Sequence, residues 1–384
     1  MGYWGRDGSC SPRTGLSQFL YRIWYPSGED PAMADILHWL RGSSALYGKL
    51  CQRRQRRIGT SGGRRRLPVP VISVGNLVVG GTGKTPMTMW LAKQLQDRGI
   101  SLAVLSRGYG RSAKGVSKVL LESDLRCSTE RFGDEPVLMA TRLSRVPVWV
   151  GRQRSRSGEA AIRQSGAQLL ILDDGYQHWG LERDLDVVLV DAKSPWGNGH
   201  LLPLGPLREP SEHLNRAHVI VITHRQGDTQ RGMELRDQLQ QRFPRKPVFV
   251  CHLRPSGTRW GLDGPTVPLE IISRYPAVVF AGIGRPESFF QTAQRMGVRS
   301  ALNLVFPDHH AYQRSDVEQI LAPVLAGKAR WLLTTEKDAV RLPSSLQDLV
   351  VTLGMEVDFG KDYDAFVRYL VQWWHQGGNL PRLA

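Results

Sequence analysis

The sequence predicts an α/β protein in which a mostly parallel sheet is flanked by helices and is followed by a second, smaller α/β domain. Three observations lead to this prediction. Apolar segments of strand length alternate with segments of helical spacing along most of the chain. The strand segments are continuously apolar, which is typical of strands buried on both faces of a parallel sheet. A segment rich in Pro and Gly, 251–275, separates an earlier series of strands from a later one.

β-Branched and aliphatic residues dominate the predicted strands, and helical stretches lie between most of them. The earlier strands are predicted at 69–74 (VPVISV), in the first part of 101–110 (SLAVLSRGYG), and at 146–151, 168–175, 186–192 and 218–223. The later strands are predicted at 276–284, 301–306 and 330–335, with helices near 286–296 and 314–326. No internal repeat interrupts this order.

A glycine-rich loop joins the first predicted strand to the first predicted helix, within VGNLVVGGTGKTP at 74–86. Backbone N–H groups of such a loop and the positive end of the following helix attract phosphate. Lys84 is expected to reach the β- and γ-phosphates, and the Thr85 hydroxyl is expected to contact Mg²⁺. The ligand is then a nucleoside triphosphate, most commonly ATP. The predicted ATP-binding residues are Gly80, Gly81, Thr82, Gly83, Lys84 and Thr85.

The loop departs from the pattern G-x-x-x-x-G-K-[ST], because Val78 stands where the first Gly is expected. The alternative is a flexible turn with an incidental lysine. The flanking strand and helix favour the phosphate loop, since the chemistry requires that context.

Composition limits the remaining possibilities. The chain has 384 residues, of which 41% are hydrophobic and 22% charged, enough for a large core and two domains. Its four cysteines, at 10, 51, 127 and 251, include no C-x-x-C, which argues against zinc or a disulfide framework and suits a reducing cytoplasm. No apolar run has the length of a membrane span, and the first residues lack the apolar core of a signal peptide.

The net charge of +16 is partly local, because 51–66 holds seven arginines and no acid. In the preceding segment, 33–50, the apolar residues fall largely on one helical face; they are Ile36, Trp39, Leu40, Leu46, Tyr47 and Leu50. Such a helix, followed by arginines, suits an anionic membrane surface. Two alternatives stay open: packing on the protein's own core beside a solvated basic loop, and binding of nucleic acid.

Acidic side chains follow one of the apolar strands. Asp173 and Asp174 follow the apolar residues of the segment ILDDG. They lie at the strand end where doubly wound sheets place their functional residues. After a phosphate loop, an acid at this position is placed to hold Mg²⁺ directly or through water. The alternative is an Asp-Asp-Gly turn.

Three further polar segments are ambiguous from their residues alone. Asp134 and Glu135 suit a helix start, with Asp134 as the N-cap. The stiff loop 203–210 carries Arg208 and Glu209, which suits phosphate and metal contacts or a surface turn. In the segment 305–312, adjacent histidines do not suit a shared metal ion, whereas one histidine beside an acid suits proton relay. The residues of the segment TTEKDAVRL at 334–342 do not by themselves indicate a function.

Seven segments in this order resemble the tetraacyldisaccharide 4′-kinase family, the lipid A kinases of Gram-negative envelopes. They run from about residue 33 to 342 and are VPVISVGNLVVGGTGKTP, LSRGYGR, GDEP, LDDGYQH, NGHLLPLGPLREP, FPDHH and TTEKDAVRL. Val78 looks like the family's normal form. The resemblance implies transfer of the ATP γ-phosphate to the 4′-hydroxyl of a tetraacyldisaccharide 1-phosphate, with Mg²⁺, at the cytoplasmic face of the inner membrane.

The resemblance also implies roles for individual residues. Asp134 and His309 look like the catalytic pair that takes the hydroxyl proton. The implied metal ligands are Thr85, Asp173, Asp174 and Glu209, and the implied substrate-binding or supporting residues are Arg107, Tyr109, Glu135, His178 and Arg208. The implied partners are a lipid disaccharide and an anionic membrane surface, which argues against nucleic acid. No oligomeric state follows.

The resulting organisation has five parts. Residues 1–32 are an N-terminal extension that precedes the usual family start, with Met33 as a candidate initiator. The other parts are a membrane-associating helix and basic segment at 33–66, a P-loop kinase domain at 67–250, a linker at 251–275 and a second α/β domain at 276–384. The competing function is a P-loop NTPase that acts as a switch or assembly factor and binds nucleic acid or a protein through its basic segment. Hydrolysis without an acceptor would distinguish it.

Overall fold

A computed structural model of the protein describes residues 20, 23–25, 34–60, 64–225 and 227–378. The strands found there are β1 Val71–Asn76, β2 Leu102–Ser106, β3 Ser117–Lys118, β4 Val148–Val150, β5 Leu169–Leu172, β6 Leu185–Asp191, β7 Val219–His224, β8 Val248–Trp260, β9 Ala277–Ala281, β10 Ser300–Val305, β11 Trp331–Thr335 and β12 Val351–Asp358.

The α-helices of the same residues lie between these strands, except for a long one that precedes them. They are α1 Ala34–Thr60, α2 Lys84–Gln96, α3 Leu125–Phe132, α4 Asp134–Arg142, α5 Arg154–Ser165, α6 Thr229–Arg242, α7 Leu269–Ile272, α8 Pro286–Arg295, α9 Arg314–Leu325, α10 Glu336–Ala339, α11 Ser344–Gln347 and α12 Tyr363–His375. Two 3₁₀ turns, Ser211–Arg216 and Gly360–Asp362, complete the described helical structure.

All twelve described strands form one sheet in the order β10-β9-β11-β12-β8-β7-β6-β1-β5-β2-β4-β3. Neighbouring strands run parallel except at two places, the β8–β12 pair and the short edge pair β3–β4. The predicted mostly parallel α/β sheet is confirmed. Strands β3, β8 and β12 are additions that were not predicted from the sequence.

The long strand β8 joins the two halves of the sheet. Its first part pairs with β7, from Val248 to His252, and the rest pairs with β12, as far as Trp260. The predicted linker at 251–275 therefore contains most of β8 as well as helix α7. The division into domains stays a prediction.

Apolar side chains from both sides of the sheet form the core. Strands β1, β2, β5, β6 and β7 are buried along their whole length, as their continuous apolarity predicts. The C-terminal helix α12 packs on the first half of the sheet, where the rings of Phe366 and Trp90 stack with centroids 5.6 Å apart. Met87, Leu91 and Leu95 of α2 are fully buried against the same strands.

The sheet order determines which loops meet. Strand β1 lies between β5 and β6, with Ser73 opposite Leu172 on one side and Asp186 on the other. Because these strands are parallel, the loops after β1, β5 and β6 leave the same edge of the sheet. The glycine-rich loop and the two strand-end aspartates are therefore neighbours.

Candidate active site

The glycine-rich loop has the geometry of an anion-binding turn. Gly83 caps α2 with a φ of 88°, and Gly80 has a φ of 123°, a region that side chains rarely adopt. A Cβ on Gly83 would also lie 2.6 Å from the Leu253 side chain. The first turn of α2 thus presents its N–H groups beside the loop, where they favour phosphate.

Two buried contacts fix the shape of this loop. The Asn76 amide donates to the Thr82 hydroxyl at 2.8 Å, and the Thr223 hydroxyl donates to the Thr82 carbonyl at 3.1 Å. The Lys84 ammonium lies 3.4 Å from the Gly80 carbonyl, so the side chain folds back over the loop. Burial lowers the pKa of Lys84, although the nearby Asp174 acts in the opposite direction.

Asp173 and Asp174 follow β5 and have different surroundings. Asp174 has a φ of 49°, and its carboxylate accepts from Arg208 at 2.9 and 3.0 Å and lies 3.8 Å from the Lys84 ammonium. Burial raises the pKa of Asp174, but Lys84 and Arg208 outweigh it and the pKa is lowered. Asp173 accepts from the Thr88 hydroxyl at 3.0 Å. Burial, with the negative charges of Glu135 and Asp174, raises its pKa to about 7.

This donor set fits Mg²⁺ bound together with a triphosphate. Mg²⁺ usually takes one or two carboxylates from the protein and completes its shell with phosphate and water oxygens. Asp173 and Asp174 supply two carboxylates at one strand end, and the accumulated negative charge there favours a cation. Among the described residues there is no cluster of three or more acids, histidines or cysteines that could hold a metal alone.

Glu209, the fourth predicted metal ligand, is buried and has strong contacts elsewhere. One carboxylate oxygen accepts from Arg216 and lies 2.7 Å from the His213 ring nitrogen. The other oxygen is buried without a hydrogen-bond partner in the described part of the chain. Its neighbour Arg208 makes the contact to Asp174. A metal role for Glu209 stays a prediction.

The structure brings Asp134 and His309 together across 175 residues of sequence. The His309 Nδ1 lies 2.8 Å from the Asp134 Oδ2, and the carboxylate is almost fully buried. His309 has a φ of 59°, and its ring lies 5.5 Å from the ring of Tyr109. Burial raises the pKa of Asp134, but the hydrogen bond from His309 and the charges of Lys337 and Arg341 outweigh it, and the pKa is strongly lowered.

The expected N-cap role of Asp134 is wrong. Gly133 is the cap, and Asp134 is the first residue of α4. Its Oδ1 accepts the adjacent Glu135 N–H at 2.9 Å, and its Oδ2 contacts the histidine. The neighbouring His310 instead contacts Asp316 at 2.8 Å and stacks on Phe306, so it belongs to the loop's own packing.

The predicted supporting residues have different surroundings. Arg107 and Tyr109 are exposed, and a substrate contact for them stays a prediction. Glu135 pairs with the Lys337 ammonium at 3.0 Å. Burial lowers the pKa of His178 to about 4, helped by several arginines, among them Arg54 of α1.

Helix α1 contacts the body through a side that includes Tyr47, at the edge of the predicted apolar face. The hydroxyls of Ser44 and Tyr47 donate to the carbonyls of Leu201 and Arg208, at 2.9 and 3.0 Å. The adjacent side of the helix leaves three apolar side chains exposed: Trp39 by 80%, Leu46 by 59% and Leu50 by 53%. None of the described helices is both long and apolar enough to cross a membrane.

A family model described as tetraacyldisaccharide-1-P 4′-kinase, LpxK, matches residues 36–373 of this chain. The chain belongs to the tetraacyldisaccharide-1-P 4′-kinase family. The tetraacyldisaccharide 4′-kinase of Syntrophobacter fumaroxidans is 45% identical over 357 residues, which are 92% of each chain. That of Anaeromyxobacter dehalogenans is 38% identical over 308 residues, 80% of this chain and 79% of the relative.

A solved structure of the family has the same fold. The crystal structure of LpxK from Aquifex aeolicus in complex with ATP matches this protein with a TM-score of 0.68 and 31% identity. The match covers 88% of this chain and 99% of that one. The resemblance inferred from the seven sequence segments is therefore confirmed.

Several residues of this kinase-family site did not emerge from the sequence. Asn76 and Gln177 tie β1 to the loop after β5, since the Gln177 amide donates to the Asn76 carbonyl at 2.9 Å. Asp191 ends β6 and binds Arg225 and Arg285 at 3.5 and 3.1 Å. The only available signal for Asp191 was an acid at a strand end, the same signal that identified Asp173 and Asp174.

Proposed function

We propose that this protein transfers the γ-phosphate of ATP to the 4′-hydroxyl of a tetraacylated glucosamine disaccharide 1-phosphate. Family membership supports the activity. The structural observation that carries the proposal is the 2.8 Å contact of Asp134 with His309 beside a phosphate loop. A phosphoryl transferase needs a group that orients the accepting hydroxyl as well as groups that hold the triphosphate.

The phosphate side of the site consists of backbone and cationic groups. The N–H groups at the start of α2 would receive the triphosphate, and Lys84 would contact its β- and γ-phosphates. Asp173, Asp174 and Thr85 are the residues that would hold Mg²⁺, with Glu209 as a further candidate. When bound, the metal ion neutralises charge that develops on the transferred group. Arg208 holds Asp174 in place at 2.9 Å.

The acceptor side depends on the tautomer of His309. An ionised carboxylate only accepts hydrogen bonds, so Asp134 receives the Nδ1–H of the ring and leaves a lone pair on Nε2. Nε2 can then accept the hydrogen bond of the 4′-hydroxyl and take its proton as the bond to phosphorus forms. In a loose transition state little proton removal is needed early, so the pair mainly positions the hydroxyl oxygen.

Helix α1 accounts for how a soluble ATP and a lipid acceptor meet. Its exposed face carries Trp39, Leu46 and Leu50, and exposed arginines follow at Arg53 and Arg57. Aromatic and aliphatic side chains beside arginines suit a helix that lies in an anionic interface. We infer that this face binds the cytoplasmic surface of the inner membrane as a peripheral contact.

The alternative of an NTPase switch is less well supported, because the family comparisons favour a kinase. The two functions differ in their dependence on an acceptor. ADP release should be slow with ATP and Mg²⁺ alone and should rise by at least about tenfold when the acceptor is added in detergent micelles. Equal ADP release with and without the acceptor would support the switch.

A further inference from the structure

The segment 335–341 faces the Asp134 carboxylate and supports the backbone of His309 through Gly282, although it lies between two strands of the other half of the sheet. It begins where β11 ends and includes the one-turn helix α10. The Thr335 hydroxyl caps this turn by accepting the Asp338 N–H at 3.0 Å. Because the turn is fixed, the side chains of Lys337 and Arg341 have defined directions relative to α4.

Lys337 reaches the first turn of α4. Its ammonium lies 3.0 Å from the Glu135 carboxylate and 4.0 Å from the Asp134 Oδ2. Charge attraction from these two acids outweighs burial, so the pKa of Lys337 is raised and the side chain stays cationic. A second ion pair, between Arg142 and Glu336, holds the other end of α4 to the same segment.

Arg341 connects the segment to the loop that carries His309. Its guanidinium donates to the Asp338 carboxylate at 2.6 Å and to the Gly282 carbonyl at 2.9 Å. The same carbonyl accepts the His309 N–H at 3.2 Å. The Arg341 Nε lies 3.9 Å from the Asp134 Oδ2. One guanidinium therefore touches the backbone support of His309 and faces the carboxylate that His309 binds.

A buried acid anchors this arrangement. Asp338 is fully buried, and besides Arg341 it accepts from the Gly282 N–H at 2.9 Å and the Tyr312 hydroxyl at 2.8 Å. Because these groups are hydrogen-bonded to Asp338, the loop that carries His309 is held in one conformation. This conformation includes the left-handed φ of His309. The geometry of the pair thus depends on residues that need not contact a substrate.

We propose that Lys337 and Arg341 are positioning residues of the phosphoryl transfer, which together hold the Asp134 carboxylate against His309 so that the two act as one unit. This proposal rests on the proposed function and assigns a task to the segment 334–342. Lys337 acts from the side of α4, whereas Arg341 acts through Gly282 and through its charge. Neither residue is assigned to ATP or to the acceptor.

The variant Lys337→Met tests the proposal, since it removes the charge and keeps the length of the side chain. We expect kcat to fall about 10- to 100-fold while the KM for ATP changes less than about twofold, because only the orientation of the pair is lost. Lys337→Arg should restore most of the rate. The matched control is Lys328→Met, which removes an exposed lysine of the same half of the sheet and should leave kcat unchanged.

The double variant Asp134→Asn/Lys337→Met tests whether Lys337 acts through Asp134. If Lys337 acts through Asp134, adding Lys337→Met to Asp134→Asn should lower kcat by less than about twofold. A loss as large as in the wild-type background would overturn the proposal. So would an unchanged kcat for Lys337→Met, or a loss that is fully explained by a lowered Tm.

A titration of the Asp134 carboxyl by ¹³C NMR, assigned with Asp134→Asn, decides the question even if no kinase activity is found. The charged groups that face this carboxyl are His309, Lys337 and Arg341, with Glu135 adjacent on α4. Cations favour the carboxylate, so Lys337→Met should raise the pKa of Asp134. An unchanged titration would overturn the proposed contact, whereas a wild-type protein without acceptor-dependent product would overturn only the proposed function.

Discussion

Replacing Asp134 with Asn changes the proton on His309 while keeping the shape of the site. The Asp134 Oδ1 accepts the Glu135 N–H at 2.9 Å, and the asparagine oxygen can keep this bond. Its NH₂ group then faces the His309 Nδ1, which lies 2.8 Å from the present Oδ2. Because an NH₂ group only donates, Nδ1 must accept, and the ring proton moves to Nε2.

A protonated Nε2 cannot accept the hydrogen bond of the sugar hydroxyl. Loss of a positioned general base usually costs about 10²- to 10⁴-fold in rate. This corresponds to about 2.7 to 5.4 kcal/mol in activation free energy at 1.36 kcal/mol per tenfold change. We expect Asp134→Asn to lie in the lower half of this range, since a loose transition state needs little early proton removal. ATP affinity should change little, because neither residue is assigned to the phosphates.

The assay is kcat at saturating ATP, Mg²⁺ and acceptor, with ATP binding and Tm measured separately. His309→Gln should lose a similar factor, and Asp134→Asn/His309→Gln should be little worse than the worse single variant, because residues that act as a unit are not additive. His310→Gln is the matched control, since His310 contacts Asp316 and packs on Phe306 instead. Multiplicative losses in the double variant, or a near-normal rate for Asp134→Asn, would mean that Asp134 and His309 do not act as one unit on the hydroxyl.

Three further outcomes are expected. Lys84→Ala should lower kcat about 10²- to 10³-fold in a folded protein, because a contact to developing phosphoryl charge is lost, and near-normal turnover would argue against the phosphate loop. Replacing Trp39, Leu46 and Leu50 together with Ser should lower sedimentation with anionic vesicles without changing ATP affinity. Equal binding by both proteins at low and high salt would mean that this face does not contact membranes. The native pKa of Asp134 is lowered, so its stabilising effect is present above the unfolded pKa and is lost as pH falls toward the native one. Asp134→Asn should therefore flatten the acid side of a Tm-against-pH curve below about pH 4, and an unchanged slope would contradict the lowered pKa.

The sequence predicted the strands of the sheet well because burial on both faces requires continuous apolarity. It missed β8 and β12. The part of β8 that pairs with β12 is richer in polar residues, and this antiparallel pairing joins residues 91 to 106 positions apart in the chain. The short edge strand β3 has only two residues and no periodicity to detect. Pairing between distant segments is a tertiary effect that local pattern does not contain.

The residues of the candidate site differ in the same way: some have a local sequence signal, and others meet only through the fold. Asp173 and Asp174 could be located because they end an apolar strand, and Lys84 because a glycine loop precedes a helix. The partnership of Asp134 with His309 came from family resemblance, since two residues 175 positions apart have no common local signal. Lys337 and Arg341 were not assigned a role for the same reason: their contacts to α4 exist only when both halves of the sheet are assembled.

For helix α1, the sequence pattern identified the apolar residues but did not show which side of the helix packs on the protein. The apolar face of Trp39, Leu46 and Leu50 was visible in the sequence. Tyr47 was predicted on the same face, but it packs on the protein together with Ser44, because hydroxyl groups that bind loop carbonyls have no periodic signature. The two open alternatives, membrane contact and packing on the body, therefore apply to adjacent sides of one helix.

The most direct test of the central claim is to identify the product made by the purified protein from ATP, Mg²⁺ and tetraacyldisaccharide 1-phosphate in detergent micelles. Mass spectrometry and ³¹P NMR of the extracted lipid should show one added phosphate, as a new monoester at the 4′ position, and the Lys84→Ala protein should not form it. ATP consumption without a phosphorylated lipid, or a phosphate added elsewhere on the disaccharide, would contradict the proposed 4′-kinase activity.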